Sequence, residues 1–482
     1  MTTGSETVLQ QENEAANSAT SGKTGASGEA AITIHNPRDG SLVGSVPEAS
    51  PEEVDQAVAA ARAAQPGWAA LAPAARGELL HAAAAALSDN AERLALMNAR
   101  ETGRPEAEAL EGVKAGAATL RQYAELAPVH RGLSLRGSRM AADYTVAEPR
   151  GVAVLLTPWN DPVAVAAGLL GAALVTGNAV VHKPSERCPH LGAILGEVLA
   201  AVLPPDVLIT LNGGPQVGSA LTSHPGVDVF AHVGSSATGT RIAQAAALTG
   251  AHVIRENGGN DPLLVDAGVD PVWAAEQAAI GAFANSGQIC TSVERIYVHR
   301  DVADAFCNAL AEEARKRNTG QFAPLVDTRL RDEVHAQVAQ ALAAGAKAAE
   351  GGALPEGPGA RYPATVLLGC TEDMTVMTEE TFGPVAPVSV VDSFDEGLQR
   401  AAAGRYGLAA TVLTADMAHA QHAVAALPVG TVKINAVFGG APGGSAQPRK
   451  DSGHGFGYGP ELLDEFTQVK VVHVGLPGGV TR

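Results

Sequence analysis

The stretch GVAVLLTPWNDPVAVAAGLLGAALVTGNAVVHK, residues 151–183, indicates the fold more clearly than any other part of the chain. It predicts a strand over Gly151–Leu156, a helix over Val163–Leu174 and a second strand over Ala179–His182, with a Gly-Asn turn before the second strand. Both strands are apolar except for His182 at the end of the second, which is typical of strands that are covered on both faces. The stretch therefore predicts a strand–helix–strand unit in a parallel sheet.

The same alternation continues along the chain. Further helices are predicted at His190–Val202 and Ala237–Leu248, and further strands at Val207–Leu211 and Val227–His232. A second α/β set begins with the alternating strand around Ile296. Strands that alternate with helices imply a parallel sheet with helices on both faces, so the fold class is α/β.

One uncharged stretch, Pro162 to Val181, has the length of a membrane span. It is interrupted by Gly168, Gly171 and the Gly-Asn pair, and it ends in a short β-branched run. This pattern indicates a buried helix, a turn and a buried strand, so we expect no membrane contact.

Composition limits the functional classes. The chain has 482 residues, which predicts two to four domains at about 100–200 residues each. Its 46% of hydrophobic and 17% of charged residues predict that most of it folds, whereas the polar residues 1–30 are predicted to be a disordered tail. A net charge of −18 disfavours a nucleic-acid partner, because phosphate contacts need clustered cations.

The cysteines argue against a disulfide framework or a metal site. The four lie at positions 188, 290, 307 and 370, and no two form a CxxC pair. This usage fits a reducing compartment, and the N-terminus lacks the pattern of a signal peptide, so a cytoplasmic location is expected.

Two short segments suit a nucleotide. Gly234–Gly239 lies between a predicted strand and helix, where backbone N–H groups bind phosphate, although an ordinary turn has the same pattern. Lys183–Glu186 follows a buried strand, and nucleotides bind at strand ends in open α/β sheets. A Lys and a Glu there could meet phosphate and ribose oxygens; a solvated loop is the alternative.

Two further segments suit covalent catalysis. Cys290 lies in the Gly/polar loop Asn285–Thr291, which favours an accessible thiol over the structural role assigned to the other three cysteines. Glu256 follows the run His252–Ile254 and precedes Asn257 and two glycines, as a carboxylate at a strand end would. Such a group could act as a general base, and a plain surface Glu is the alternative.

Together these segments resemble the aldehyde dehydrogenase superfamily, in order and spacing, over about Ile32 to Val474. The matching motifs are Pro158-Trp159-Asn160, Lys183-Pro184-Ser185-Glu186, Gly234-Ser235, Glu256 with Gly258-Gly259, Gly287-Gln288-Ile289-Cys290, Glu380-Thr381-Phe382-Gly383-Pro384 and Gly430 to Asn435. The resemblance implies the α/β aldehyde dehydrogenase fold, with a Rossmann-like cofactor domain, an α/β catalytic domain and a small β oligomerisation arm.

The resemblance also implies domain bounds and a homodimer or homotetramer. The expected parts are a cofactor-binding domain at 31–130 and 150–257, a catalytic domain at 258–445, and the arm with the C-terminal segment at 131–149 and 446–482.

Roles for individual residues follow from the same resemblance. Cys290 would attack an aldehyde and carry a thiohemiacetal and then a thioester, Asn160 would stabilise the oxyanion, and Glu256 would activate water. NAD would be the cofactor, with NADP left open by Arg187 beside Glu186. The implied cofactor-binding residues are Trp159, Lys183, Ser185, Glu186, Gly234, Ser235, Glu380 and Phe382.

Departures from the family pattern concern the substrate channel. Asp161 stands where an aromatic residue is common, Gly168 where a bulky residue is common, and Pro442 where a Phe is usual. They predict a wider, more polar channel and a polar or functionalised aldehyde, unless Asp161 is turned away and structural. The presence of Glu256 favours hydrolysis to a carboxylic acid; a CoA-acylating enzyme and a non-catalytic binding or scaffold protein are the alternatives.

Overall fold

The computed structural model describes residues 30–320, 322–439 and 444–475. The tail predicted at 1–30, except Ala30, and the channel position Pro442 lie outside the described residues.

The first large sheet, called sheet A, contains the strands that the sequence predicts. Its order places Val152–Leu156 between Ala179–Lys183 and Val229–Val233, with parallel pairing on both sides. The direction in which successive strands are added therefore reverses at Val152–Leu156, which leaves a crevice at the carboxyl ends of the strands. The strands of sheet A, in spatial order, are Gly453–His454, His252–Glu256, Val229–Val233, Val152–Leu156, Ala179–Lys183 and Leu208–Thr210.

Both faces of sheet A are covered, as predicted. Val152 and Val154 contribute to one hydrophobic core, and Ala153 and Leu155 contribute to another on the opposite face. The helices around this sheet are Pro51–Ala69, Pro73–Asp89, Ala91–Thr102, Glu106–Leu126, Pro162–Val175, Pro189–Ala200, Pro215–Thr222 and Ser236–Thr249. In the part of the chain that the structure describes, no helix is long and apolar enough to cross a membrane.

The second large sheet, called sheet B, carries the segment around Cys290. The turn that contains this cysteine connects helix Pro271–Phe283 to strand Val293–His299. In spatial order, the strands of sheet B are Lys347–Glu350, Thr365–Leu368, Val385–Val391, Val293–His299, Asp261–Val265, Ala409–Leu413 and Thr431–Ile434. The helices that follow in the chain are Arg300–Thr319, Thr328–Ala343, Thr375–Thr378, Phe394–Ala403 and Met417–Ala426.

A small sheet, called sheet C, joins two distant segments of the chain. The late strand Thr467–Val474 pairs antiparallel with Ala142–Pro149 over all eight residues, and Ser134–Leu135 pairs with the other edge. The remaining elements are Ala31–His35, Leu42–Pro47, the 3₁₀ turn Ala284–Gly287, Tyr406–Gly407, Arg449–Lys450 and Leu462–Glu465.

Candidate active site

The turn before Cys290 has an unusual backbone. Asn285, Ser286 and Gly287 have φ values of 47°, 57° and 74°, so three successive residues are left-handed. A Cβ atom at Gly287 would overlap the carbonyl oxygen of Gly383, so only glycine fits there. The turn therefore interrupts the regular backbone between the helix and the strand, just before Cys290.

Gln288 stabilises this turn through its buried side chain. Its Nε2 donates to the Asn285 carbonyl at 2.8 Å, and its Oε1 accepts from the Val326 amide at 2.9 Å. The Ser286 hydroxyl adds a bond to the Ala323 carbonyl at 2.6 Å. The nucleophile predicted from the sequence thus sits on a segment that is stabilised by hydrogen bonds at several points.

Acidic groups surround the Cys290 thiol. Burial, followed by the negative charges of Glu256, Asp261 and Glu380, raises its pKa to about 12, while Lys433 acts in the opposite direction. The thiol is consequently protonated at neutral pH in this arrangement. A base is needed to generate the thiolate.

Glu256 ends its strand beside this thiol. Its carbonyl accepts from the Gly234 amide at 3.0 Å, and the residue pairs with Gly453 across the sheet. Its carboxyl group lies against Gly457, where any Cβ atom would overlap the carboxyl carbon. Burial alone raises the pKa of this carboxyl to about 7, which suits a general base at neutral pH.

Asn160 links the end of a sheet A strand to the Cys290 turn. Its Nδ2 donates to the Gln288 carbonyl at 3.0 Å. Its own carbonyl accepts from Arg104 Nη1 at 3.2 Å and from Asn285 Nδ2 at 3.3 Å. The amide therefore lies next to the nucleophile's turn, where an oxyanion donor would be needed.

The crevice of sheet A holds the segments predicted to bind a nucleotide. Ser235 caps helix Ser236–Thr249, and Gly234 precedes it directly after a strand. Beneath this turn, His232 is 7% exposed, and its two ring nitrogens have no hydrogen-bond partner among the described residues. Unused polar atoms beside a helix N-terminus fit the pyrophosphate of a dinucleotide.

Lys183 and Glu186 lie together at the end of the neighbouring strand. The buried Lys183 ammonium donates to the Pro184 carbonyl at 2.9 Å and lies 3.8 Å from the half-exposed Glu186 carboxylate. Ser185 is buried and accepts from the Arg187 amide at 3.3 Å, so its hydroxyl stabilises the turn. A cation and a carboxylate at a strand end fit the phosphate and ribose groups of NAD or NADP.

Three more of the residues expected to bind the cofactor are Trp159, Glu380 and Phe382. Trp159 and Phe382 pack edge to face, with ring centroids 5.6 Å apart. Glu380 accepts from the Gly259 amide at 3.1 Å, and burial together with the nearby Glu294 carboxyl raises its pKa well above the ordinary value.

The two described residues predicted to line the substrate channel, Asp161 and Gly168, have different surroundings. Asp161 does not stand free, because its Oδ1 lies 2.9 Å from Arg104 Nη1. A Cβ atom at the buried Gly168 would have no atom within 4 Å, so there is open space beside this residue.

Sequence reasoning missed several residues of this site. Glu294 is 3% exposed and accepts from the Thr381 and Phe382 amides, both at 2.8 Å, and so holds the loop that carries Phe382. Gly457 contacts Glu256, and Arg104 contacts Asn160; the two residues of each pair are far apart in the chain. No local pattern marks these contacts, although Gln288 was visible inside the cysteine motif.

Comparison with known proteins agrees with this geometry. A model of the aldehyde dehydrogenase family matches residues 24–472. Betaine aldehyde dehydrogenase from Cereibacter sphaeroides is 36% identical over 465 residues, which cover 93% of this chain and 94% of that protein.

Solved structures agree equally well. Lactaldehyde dehydrogenase from Escherichia coli has a TM-score of 0.89 at 30% identity, covering 93% of this chain and 96% of that one. PnpE in complex with nicotinamide adenine dinucleotide has a TM-score of 0.90 at 30% identity, covering 94% and 95%. The match extends over nearly the whole chain, and the crevice fits a dinucleotide; the protein therefore belongs to the aldehyde dehydrogenase family and is an NAD(P)-dependent oxidoreductase.

Proposed function

We propose that the protein oxidises a small polar aldehyde to the carboxylic acid by a hydrolytic route, with NAD as its preferred cofactor. The observation that carries this proposal is the Glu256 carboxyl, whose pKa of about 7 and position beside the Cys290 thiol suit a base that acts first on the thiol and then on water.

The first step forms a bond between the chain and the aldehyde. Glu256 takes the thiol proton, and the Cys290 sulfur attacks the carbonyl carbon. The carbonyl oxygen becomes an oxyanion, which the Asn160 amide and the Cys290 backbone N–H stabilise. Because both donors are part of or adjacent to the hydrogen-bonded turn, they are oriented before the reaction begins.

In the later steps the former aldehyde carbon loses a hydride, and its bond to the Cys290 sulfur is then broken. NAD, when bound, supplies the hydride acceptor, and loss of the hydride from the former aldehyde carbon leaves a thioester on Cys290. Glu256 first loses the thiol proton to solvent and then removes a proton from water; the water oxygen attacks the thioester carbon, and the carbon–sulfur bond breaks. The products are the free carboxylic acid and the Cys290 thiolate.

The preference for NAD rests on two side chains. Glu186 is half exposed beside Lys183, where its negative charge would repel a 2′-phosphate. Arg187, the cation that left NADP use open, is paired with Asp327 and lies over the Trp159 ring at 5.7 Å. Arg187 is therefore engaged away from a 2′-phosphate, and we expect kcat/KM to be at least about tenfold higher with NAD.

The proposed substrate class rests on the room at Gly168 and on relatives named for betaine aldehyde and lactaldehyde. Asp161 does not add to it, because its charge is balanced by Arg104. A small aldehyde with a polar or charged substituent is the class that these observations share.

We also propose a homo-oligomer in the cytoplasm. Val469 and Val471 on the edge strand of sheet C are 72% and 65% exposed, and such an edge can pair with a second copy. All four cysteines are unpaired, as expected in a reducing compartment. Light scattering of the purified protein tests the assembly; a monomer at micromolar concentration would contradict it.

The test follows NADH formation with betaine aldehyde, lactaldehyde and propanal, with and without CoA. Cys290→Ala should lose about 10³-fold or more of kcat. Glu256→Gln should lose about 10²-fold or more of kcat, because it can take a proton neither from the thiol nor from water. A wild-type kcat in Glu256→Gln, a CoA requirement in the wild type, or a tenfold preference for propanal would each contradict one part of the proposal.

A further inference from the structure

Arg104 lies on a short, stiff connection between two helices. Gly103 ends helix Ala91–Thr102 in a left-handed conformation with φ of 75°, and Pro105 directly precedes helix Glu106–Leu126. A Cβ atom at Gly103 would overlap Pro324, so this connection is packed tightly. The Arg104 side chain is only 15% exposed, which restricts where its guanidinium can lie.

The guanidinium contacts the backbone of the proposed oxyanion donor. Arg104 Nη1 donates to the Asn160 carbonyl at 3.2 Å, and Asn285 Nδ2 donates to the same oxygen at 3.3 Å from the opposite segment. With the carbonyl held from two sides, the peptide plane is oriented. The Asn160 side chain then reaches the Gln288 carbonyl at 3.0 Å, within the turn of the nucleophile.

Asp161 supplies the charge that this arrangement needs. A mostly buried guanidinium is costly without an acidic partner, and Asp161 Oδ1 lies 2.9 Å from Arg104 Nη1. The carboxylate fits against Gly112 of the next helix, where a Cβ atom would lie 2.7 Å from Oδ1. Both residues of the pair are therefore constrained by close packing.

We infer that Arg104 and Asp161 are positioning residues that orient the Asn160 amide for oxyanion stabilisation, and that Asp161 does not recognise the substrate. This inference rests on the proposed role of Asn160. It explains why an acidic residue can stand in the channel region without selecting a cationic aldehyde.

The test is a double-mutant cycle with Arg104→Met, Asn160→Ala and the combined variant. Arg104→Met should lower kcat about 30-fold while the KM for NAD stays within twofold, because misplacement by about 1 Å can cost 10²-fold. In the Asn160→Ala background the same change should alter kcat less than about twofold. An equally large loss in both backgrounds would show a merely structural role and overturn the inference.

Further variants separate the remaining outcomes. Arg104→Lys should retain part of the kcat that Arg104→Met loses. The control is Arg93→Met, which removes an exposed ion pair with Glu197 and is expected to have the kcat of the wild type. Asp161→Asn should lower kcat by a similar factor for betaine aldehyde, lactaldehyde and propanal. A KM increase confined to betaine aldehyde would instead make Asp161 a substrate-binding residue. Unchanged kcat in Asn160→Ala would contradict the proposed function, independently of Arg104.

If Arg104→Met does not fold, the double-mutant cycle is repeated with Arg104→Lys and with Asp161→Asn, each combined with Asn160→Ala. Each is expected to be coupled to Asn160, and additive effects on kcat would overturn the inference.

Discussion

The Cys290 turn and the strand end at Glu256 lie side by side but hold their reactive groups in different ways. The turn is left-handed at three successive residues, and Gln288 and Ser286 bond it to neighbouring segments. Glu256 belongs to a regular strand, and its carboxyl group is located by the absence of a side chain at Gly457. Hydrogen bonds thus fix the turn that carries the Cys290 thiol, whereas the space left by Gly457 determines where the Glu256 carboxyl group lies.

This difference matches the chemistry proposed for the two groups. A nucleophile works from one position, whereas the base has to accept a proton first from the thiol and later from water. Hydrogen bonds to the ionised form of Glu256 would lower its pKa, and burial without them raises it to about 7. Burial without such hydrogen bonds therefore leaves Glu256 basic enough to accept a proton near neutral pH.

The largest effect is expected when the rigid region is disturbed by Gly287→Ala. The new Cβ atom would overlap the Gly383 carbonyl at a φ of 74°, so we expect kcat to fall about 100-fold or more and the free energy of unfolding to drop by about 3 kcal/mol. Enzyme assays and denaturant titration measure the two. Gly67→Ala, with no atom within 4 Å of its Cβ, is the control; equal behaviour of both variants would contradict the rigid turn.

A smaller effect is expected when the space beside the base is filled by Gly457→Ala. The methyl group would displace the Glu256 carboxyl group, which can turn away because it is the end of a flexible side chain. We expect kcat to fall about 30-fold, while the free energy of unfolding changes by less than about 1 kcal/mol. A wild-type kcat in Gly457→Ala would contradict the role of the space beside Glu256. A loss of stability as large as that of Gly287→Ala would contradict the difference between the two regions.

The smallest effect concerns the pH dependence of the wild type. Since the pKa of Glu256 is raised to about 7, its carboxyl is protonated below that pH and becomes a base above it. We expect kcat to increase about tenfold from pH 6 to pH 8 and then to level off. The residual activity of Glu256→Gln should lack this increase. If the variant kept the pH profile of the wild type, the increase would belong to another titrating group.

The same raised pKa predicts how stability changes with pH. An ordinary Glu ionises near 4.3 in the unfolded chain, so the unfolded state loses its proton before the folded state does. Glu256 therefore costs folding free energy as the pH rises from about 4.5 to 7, and Glu256→Gln should remove that slope in denaturant titrations at several pH values.

Much of the fold was visible in the sequence because the signals were local. The strand predicted at Ala179–His182 is found at Ala179–Lys183, and the helix predicted at Val163–Leu174 is found at Pro162–Val175. Continuous apolar runs and helical periodicity depend on neighbouring residues only, so such elements can be recognised without knowing their partners.

The site was visible only in part. Cys290 and Glu256 were found because each lies in a motif, and the structure brings them together. Gly457 and Arg104 were missed because their importance comes from contacts with Glu256 and Asn160, across 201 and 56 residues of chain. For Asp161 the sequence left two interpretations open, and the ion pair with Arg104 favours the structural one.

The sequence by itself thus determined the α/β alternation, the family and the types of reactive group. Tertiary structure decided the properties of those groups. The pairing of Gly453 with Glu256 brings the segment that contains Gly457 over the carboxyl group, and the resulting burial raises its pKa. A pKa and an ion pair depend on which distant segments exclude water or supply charge, and those segments meet only when the chain is folded.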